Sequence, residues 1–349
     1  MWLSNQIVDH LRAVAVWPEV ADGRYTVIEP IGRGGMGTVY IARDERLGRD
    51  VALKVSNAPG SGSGLDTRLR REARVLATLD HPGIAPVHDA GELADGRLFY
   101  VMKLVRGETL DRHARTLQTE SARLGVFERV AETVAFAHAH GIVHRDLKPT
   151  NVMVGPFGEV LVLDWGVAKI LAEAVEAGEA GATTPHAHDD GTSLSTRAGT
   201  VMGTMLGTML GTPGFMAPEQ RTGAVDRIGP ATDVYALGAL LFWLLTGETP
   251  SDDGARAARD LRALNGDRRV TRRLRAIVLR CLAARPEDRY ADAGAVAADL
   301  VRYRAGHAVV AHPETVFDRA GRFVVTYRTF ILIVVAYIVM RTIVALFQR

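Results

Sequence analysis

The run from His144 to Asn151, HRDLKPTN, constrains this chain more than any other stretch. Two short apolar runs flank it: Ile142–Val143 before it, and Leu161–Leu163 leading into Asp164, Trp165 and Gly166 after a hairpin-length gap. Apolar runs of that length read as buried strand ends that present a polar loop. Two carboxylates, an amide and an ammonium set close together can hold a hydroxyl nucleophile and metal ions around a polyphosphate, which is what phosphoryl transfer requires. An HRD triplet alone would carry no such meaning. Here Lys148 and Asn151 follow it at fixed offsets.

Composition narrows the alternatives. With 349 residues, 47% of them hydrophobic, the chain can bury a full core as one large or two modest domains. A balance of 42 basic against 40 acidic residues sets up no field strong enough to imply nucleic acid. Positive charge is written almost wholly as Arg, the lysines being Lys54, Lys103, Lys148 and Lys169. An ammonium is not interchangeable with a guanidinium, so a retained Lys carries information. The single cysteine, Cys281, excludes an intrachain disulfide and fits a reducing compartment. Its apolar helical context, AIVLRCLA, reads as a buried core thiol and not a nucleophile.

From Arg24 onward the pattern is regular. RYTVIEPI alternates like a strand, and IGRGGMGTVYIA follows with glycines at 32, 34 and 37. Glycines so spaced let a hairpin tip approach phosphates through backbone N–H groups. Dinucleotide folds share that spacing but run on into a helix, whereas TVYIARD continues as a second strand and DVALKVSN as a third. After the Gly/Ser break NAPGSGSG, residues 66–79 repeat Leu69, Ala73, Leu76 and Leu79 at helical spacing. Further strands are expected in HPGIAPVHDAGE and GRLFYVMKLVRGETL. Helices are expected over 110–115, 124–140, 272–284 and 291–304.

Taken together, HRDLKPTN, DWG and the glycine-rich hairpin resemble the bacterial eukaryotic-type (Hanks-type) protein kinases, and Lys148 resembles their serine/threonine branch. The resemblance covers residues 24–306 and implies an α+β, bilobal fold. A small five-stranded N-lobe with one main helix would occupy 24–103, and a mostly helical C-lobe 107–306. It also implies roles for particular residues. Gly32, Gly34 and Gly37 would cover the phosphates of ATP, with Val39, Ala52 and Met153 around the adenine. Met102 would line the back of the pocket, while Lys103, Leu104 and Val105 supply hinge backbone. Lys54 would reach the α- and β-phosphates and pair with Glu72. Asp146 would orient the substrate hydroxyl and receive its proton, and Lys148 would stabilise the phosphoryl group in transit. Asn151 and Asp164 would hold Mg2+, or Mn2+ in its place. His144 looks like a base, but the resemblance makes it structural, stacked beneath Trp165. Trp165 departs from the usual Phe and brings an N–H that must be satisfied when buried. Glu219 would pair with Arg289, and Asp233 would accept hydrogen bonds from the catalytic-loop backbone.

The implied activation segment, 164–219, is long. Its insert, about 171–211, includes GATTPHAHDDGTSLSTRAG, which has neither period nor apolar anchors and reads as disordered. No rigid flank fixes His186, His188, Asp189 and Asp190 as a metal site. VMGTMLGTMLGT then repeats a four-residue unit, placing Thr200, Thr204, Thr208 and Thr212 in series. Thr212 stands where the resemblance expects a contact with Asp146 and Lys148. Thr196, Thr200, Thr204 and Thr208 are the candidate autophosphorylation sites.

Residues 1–23 form an extension without the apolar core of a signal peptide. Beyond a juxtamembrane linker at 307–328, residues 329–347 make the longest apolar stretch. At about 1.5 Å per residue it reaches the hydrocarbon thickness, with Arg341 as an interruption. Arg319, Arg322 and Arg328 precede it, so the expectation is a single-pass protein of the bacterial cell membrane with its kinase domain in the cytoplasm. The chain ends at Arg349, so an outer sensor is not expected. The activity implied is ATP-dependent phosphorylation of protein serine and threonine hydroxyls, with a homodimer for trans-autophosphorylation and the protein substrate unspecified. The alternative is a pseudokinase scaffold, suggested by Trp165 and the swollen segment and opposed by the complete set Lys54, Glu72, Asp146, Asn151 and Asp164.

Overall fold

A computed structural model describes residues 18–20, 23–34, 37–57, 64–165, 169–170, 213–251, 254–264, 270–312 and 328–347. The early extension, Gly166, the insert with its histidines and threonines, Thr212 and most of the linker lie outside the described residues. Strands β1 (Tyr25–Arg33), β2 (Gly37–Asp44), β3 (Arg49–Ser56), β4 (Val87–Glu92) and β5 (Leu98–Lys103) form one antiparallel sheet in the order β1-β2-β3-β5-β4. Side chains alternate between its faces. Tyr40, Ala42, Val51, Leu53, Val55, Phe99 and Val101 fill a small core on one face, closed by Val20, Tyr25 and Leu93. Helix α1 (Gly64–Thr78) lays Leu69, Val75 and Leu76 into a second, larger core together with Leu98 and Tyr100. That core continues into the helical lobe.

Helices α2 (Leu110–His113), α3 (Glu120–Ala139) and α4 (Pro218–Arg221) come next in chain order. Strand β6 (Glu108–Thr109) precedes them, and β7 (Ile142–Val143), β8 (Val152–Val154), β9 (Val160–Val162) and β10 (Lys169–Ile170) lie between α3 and α4. Helix α3 begins four residues before the expected Leu124 because Thr119 caps it, its hydroxyl accepting from the Ala122 N–H at 3.1 Å. Helix α5 (Pro230–Thr246) is buried from Thr232 to Phe242 without a polar stripe, as a central helix must be. It starts on Pro230 and ends at Gly247, whose φ of 85° only glycine adopts readily. Helix α7 (Arg272–Cys281) approaches α5 at Gly238, where a Cβ would fall 2.4 Å from Cys281 Cβ. Cys281 is fully buried, and burial pushes its thiol pKa well up, so it is a packing residue as expected.

A helix, α6 (Gly254–Ala263), forms in the short stretch after Pro250, buried through Ala257 and Leu261. Helix α8 (Ala293–Arg304) carries the fully buried Asp299, whose carboxylate accepts from Tyr290 Oη at 2.7 Å and from the N–H groups of Val310 and Ala311 at 2.6 and 3.0 Å. Val309 is buried beside it, so the first residues of the expected linker pack on the helical lobe. Residues 328–347 form a helix, α9 (Arg328–Phe347), with Phe330, Leu332, Ile333 and Tyr337 exposed. Among the described residues no helix is long and apolar enough to cross a membrane. Arg341 lies within this helix and is exposed.

Candidate active site

The sheet's register assembles one half of the site. Val39 pairs with Lys54, Lys54 with Tyr100, and Ala52 with Met102. Cross-strand partners share a face, so Val39, Ala52, Lys54 and Met102 line the same side. Lys54 is buried, and its Nζ donates to both Glu72 oxygens, Oε1 at 2.8 Å and Oε2 at 2.7 Å. Asp164 Oδ1 stands 3.5 Å from the same nitrogen. Burial works against the Lys54 charge, but Glu72 and Asp164 outweigh it and raise its pKa. Glu72 is raised as well, by burial first and then by the Asp164 carboxylate, despite Lys54. One ammonium shared between two carboxylates leaves the cluster net negative.

The other half is the catalytic-loop stretch. Asp146 Oδ2 accepts from Lys148 Nζ at 2.8 Å and from Asn151 Nδ2 at 3.1 Å, and Asn151 Nδ2 also donates to the Asp146 carbonyl at 2.7 Å. The Leu163 N–H donates to the Asn151 carbonyl at 2.8 Å, which docks the residue before Asp164 onto the loop. Asp164 has φ 63° and Arg145 φ 72°, left-handed values that residues with a Cβ adopt only where the surroundings hold them.

Those surroundings are visible. Asp233, at the start of α5, accepts the N–H groups of His144 at 2.7 Å and Arg145 at 2.8 Å, as expected. His138 Nδ1 accepts from the Ala293 N–H at 3.2 Å, so its Nε2 carries the proton given to Asp233 at 2.9 Å. His144 is fully buried; Nδ1 accepts from the Asp146 N–H and Nε2 donates to the Leu163 carbonyl. Both ring nitrogens are engaged, which leaves it no role as a base. Its ring lies 4.6 Å from that of Trp165, which is buried with its indole N–H donating to the Val162 carbonyl at 3.1 Å. The larger ring thus packs inward with its polar group satisfied.

The expected flap and hinge are partly legible. Gly34 N–H donates to the Gly37 carbonyl at 2.9 Å, and Asn57 braces this turn, donating to the Gly34 carbonyl at 2.9 Å and accepting from Thr38 Oγ1 at 3.1 Å. Gly37 is also required sterically: a Cβ there would lie 2.4 Å from the Val55 carbonyl oxygen. Gly32 has open space at the same test. At the hinge, the Lys103 N–H donates to the Pro86 carbonyl at 3.1 Å. Met153, on β8, pairs with Thr109 across from it. Asn57, His138 and Gln220, which contacts Arg145, were not signalled by any motif.

Among the described residues no group of three or more His, Cys, Asp or Glu forms a metal cage. Magnesium asks less of a protein: one or two hard oxygen donors beside phosphates and waters. Asp164 supplies a half-exposed carboxylate, and Asn151, its amide nitrogen committed to Asp146, has its amide oxygen left as a donor. With the net negative charge at Lys54, Glu72 and Asp164, these residues fit a divalent cation.

A family model for the protein kinase domain matches residues 25–301. The serine/threonine-protein kinase PknB of Mycolicibacterium smegmatis is 35% identical over 305 residues, 83% of this chain and 44% of that protein. PknD of Chlamydia caviae is 34% identical over 304 residues, 81% of this chain and 31% of that protein. The chain thus spans less than half the length of these curated relatives. The crystal structure of the Mycobacterium tuberculosis PknI kinase domain is similar with a TM-score of 0.57 at 25% identity, covering 82% of this chain and 99% of that one.

Proposed function

Because the chain belongs to the protein kinase domain family, we propose that it transfers the γ-phosphoryl group of ATP to serine and threonine hydroxyls of proteins. The observation that carries this is a pair of triads joined by the Leu163–Asn151 backbone bond: Lys54 contacts Glu72 at 2.7 Å and Asp164 at 3.5 Å, and Asp146 contacts Lys148 at 2.8 Å and Asn151 at 3.1 Å. In this reading Lys54, held charged by its two carboxylates, binds the α- and β-phosphates. Val39, Ala52, Met102 and Met153 are the apolar walls for adenine, and the backbone of Lys103, Leu104 and Val105 meets its edge. Gly32, Gly34 and Gly37 form the flap. Asn151 and Asp164 are the ligands for Mg2+, which when bound offsets charge on the phosphates. Asp146 orients the incoming hydroxyl and takes its proton, while Lys148 stays beside the transferred group. A scaffold without transfer loses its main support in Trp165, since that side chain packs inward and leaves Asp164 beside Lys54.

The test is phosphate transfer from labelled ATP to a protein substrate by the purified chain and its Asp146→Asn variant, with nucleotide affinity measured on both. Affinity should be retained and transfer mostly lost in the variant. Equal transfer by both would sink the mechanism.

Trans-autophosphorylation within a homodimer belongs to the same proposal, as does attachment of the chain to a bacterial membrane through 329–347. Exposed Phe330, Leu332, Ile333 and Tyr337 on α9, with Arg319, Arg322 and Arg328 ahead of them in the sequence, support the attachment and a cytoplasmic kinase domain. Full-length protein released from membranes by carbonate would count against it.

A further inference from the structure

Gln220 follows Glu219 directly on the short helix α4, and its carboxamide touches two backbone groups far apart in the chain. Nε2 donates to the Arg145 carbonyl at 2.7 Å, and Oε1 accepts from the Ala217 N–H at 3.1 Å. The two contacts need one donor and one acceptor on the same planar group, which an amide has and a carboxylate, ammonium or guanidinium has not. The carbonyl it holds belongs to the peptide plane between Arg145 and Asp146. The other end of that plane, the Asp146 N–H, donates to His144 Nδ1 at 3.2 Å. The preceding N–H groups are taken by Asp233. Arg145 sits at φ 72°, so the plane would relax if one of its ties were cut.

We propose that Gln220 is a positioning residue for phosphoryl transfer: by holding the Arg145 carbonyl it sets the plane that aims Asp146, and it couples seating of helix α4 to the catalytic carboxylate. The inference rests on the kinase reading above. Its reach is defined because the neighbouring Glu219 is locked by Arg289 at 2.7 and 2.8 Å, so the backbone of Gln220 has little freedom to compensate. A well-seated α4 keeps the amide under the Arg145 carbonyl; an unseated one withdraws it.

The experiment uses the full chain, with Gln220→Glu and Gln220→Ala made in the wild-type and in the Asp146→Asn background. Gln220→Glu keeps the acceptor for Ala217 but sets an oxygen against the Arg145 carbonyl. It should lower kcat for a peptide substrate by about tenfold, in line with what small misplacements of a catalytic group cost. Gln220→Ala should lower it less, because water can replace the lost donor. The KM for ATP and the nucleotide affinity should stay within about twofold of wild type, since Lys54 makes no contact with that plane and Asp164 is reached from it only through His144 and Leu163. In the Asp146→Asn background, Gln220→Glu should cause no further loss, because the group it aims is already gone. The same fold-loss in both backgrounds, or a parallel loss of nucleotide affinity and melting temperature, would overturn the positioning role and make Gln220 a structural residue only. Wild-type protein that transfers no phosphate would fail the kinase reading itself, a result told apart because no variant is needed to see it.

Discussion

Arg289 grips Glu219 with both terminal nitrogens, Nη1 to Oε1 at 2.7 Å and Nη2 to Oε2 at 2.8 Å, across 70 residues of sequence. The guanidinium also donates to the carbonyls of Ala231, Ala283 and Ala284, and Thr232 donates to Glu219, so neither buried charge keeps an unmet valence. Removing one partner strands the other, buried and uncompensated. Arg289→Ala should therefore cost about 3–5 kcal/mol, read as a lower urea midpoint at unchanged slope. Replacing both, as Glu219→Leu with Arg289→Met, should recover much of that loss. A single variant that unfolds with the wild-type midpoint would show that the pair does not anchor this end of the segment.

Acid should weaken the fold through the same carboxylates. Burial raises the Glu219 pKa, but Arg289 outweighs it and the net direction is down from the ordinary 4.5. For Asp233, burial is outweighed by the hydrogen bond from His138 and by the loop backbone, again lowering it from 3.8. A folded-state pKa below the unfolded one means that the unfolded chain binds more protons as pH falls. The stabilisation is thus fully present above the ordinary values and is lost as pH drops through the folded ones. Below about pH 5 these two carboxylates should make urea unfolding progressively easier, with a shallower decline for Asp233→Asn, which starts less stable. Identical pH slopes for the variant and wild type would remove Asp233 from this account.

Much of the site was legible because its residues fall in contiguous or strictly periodic runs. HRDLKPTN places Asp146, Lys148 and Asn151 in one loop, and the alternation of DVALKVS puts Ala52 and Lys54 on one face. What stayed hidden acts through single side-chain contacts to distant backbone. Gln220 meets Arg145 across 75 residues and His138 meets Ala293 across 155, and no period marks such pairs. Asp299 is similar: a lone acid in a helix, whose capture of the Val310 and Ala311 N–H groups extends the packed lobe into what reads as linker. Gly37 was legible as a motif member, while its reason, the closeness of the Val55 carbonyl, is a property of the folded sheet.

That difference between glycines is measurable. Gly37→Ala forces a Cβ to 2.4 Å from the Val55 carbonyl oxygen, so strand β2 or β3 must shift, whereas a Cβ at Gly32 meets nothing within 4 Å. Gly37→Ala should lose about 1–3 kcal/mol of stability, the range for overpacking, and Gly32→Ala should melt like wild type. If both melt alike, the sheet accommodates the methyl group and Gly37 is held by the nucleotide instead.

The last prediction concerns switching. Arg145 is largely buried, and its Nε is among the buried polar atoms with no hydrogen-bond partner among the described residues. Its pKa is lowered, first by burial and then by the charge of Arg71. The Asp233 carboxylate acts the other way without offsetting the two. A phosphothreonine brings close to two negative charges and three strong acceptors, enough to neutralise such a cluster and to draw a chain segment onto it. The candidate sites of that phosphate are Thr196, Thr200, Thr204 and Thr208, all outside the described residues. Ordering a long insert costs entropy for each residue restrained, so activity should depend on the modification strongly. Phosphatase treatment is expected to lower kcat toward an added substrate, and changing all four threonines to Ala should reproduce that loss. Arg145→Ala protein should no longer respond to phosphatase, and Arg71→Ala should respond less. Fully active protein in which mass spectrometry finds all four threonines unmodified, with activity unchanged by phosphatase, would rule this switch out and move the control to the tail or to dimer formation.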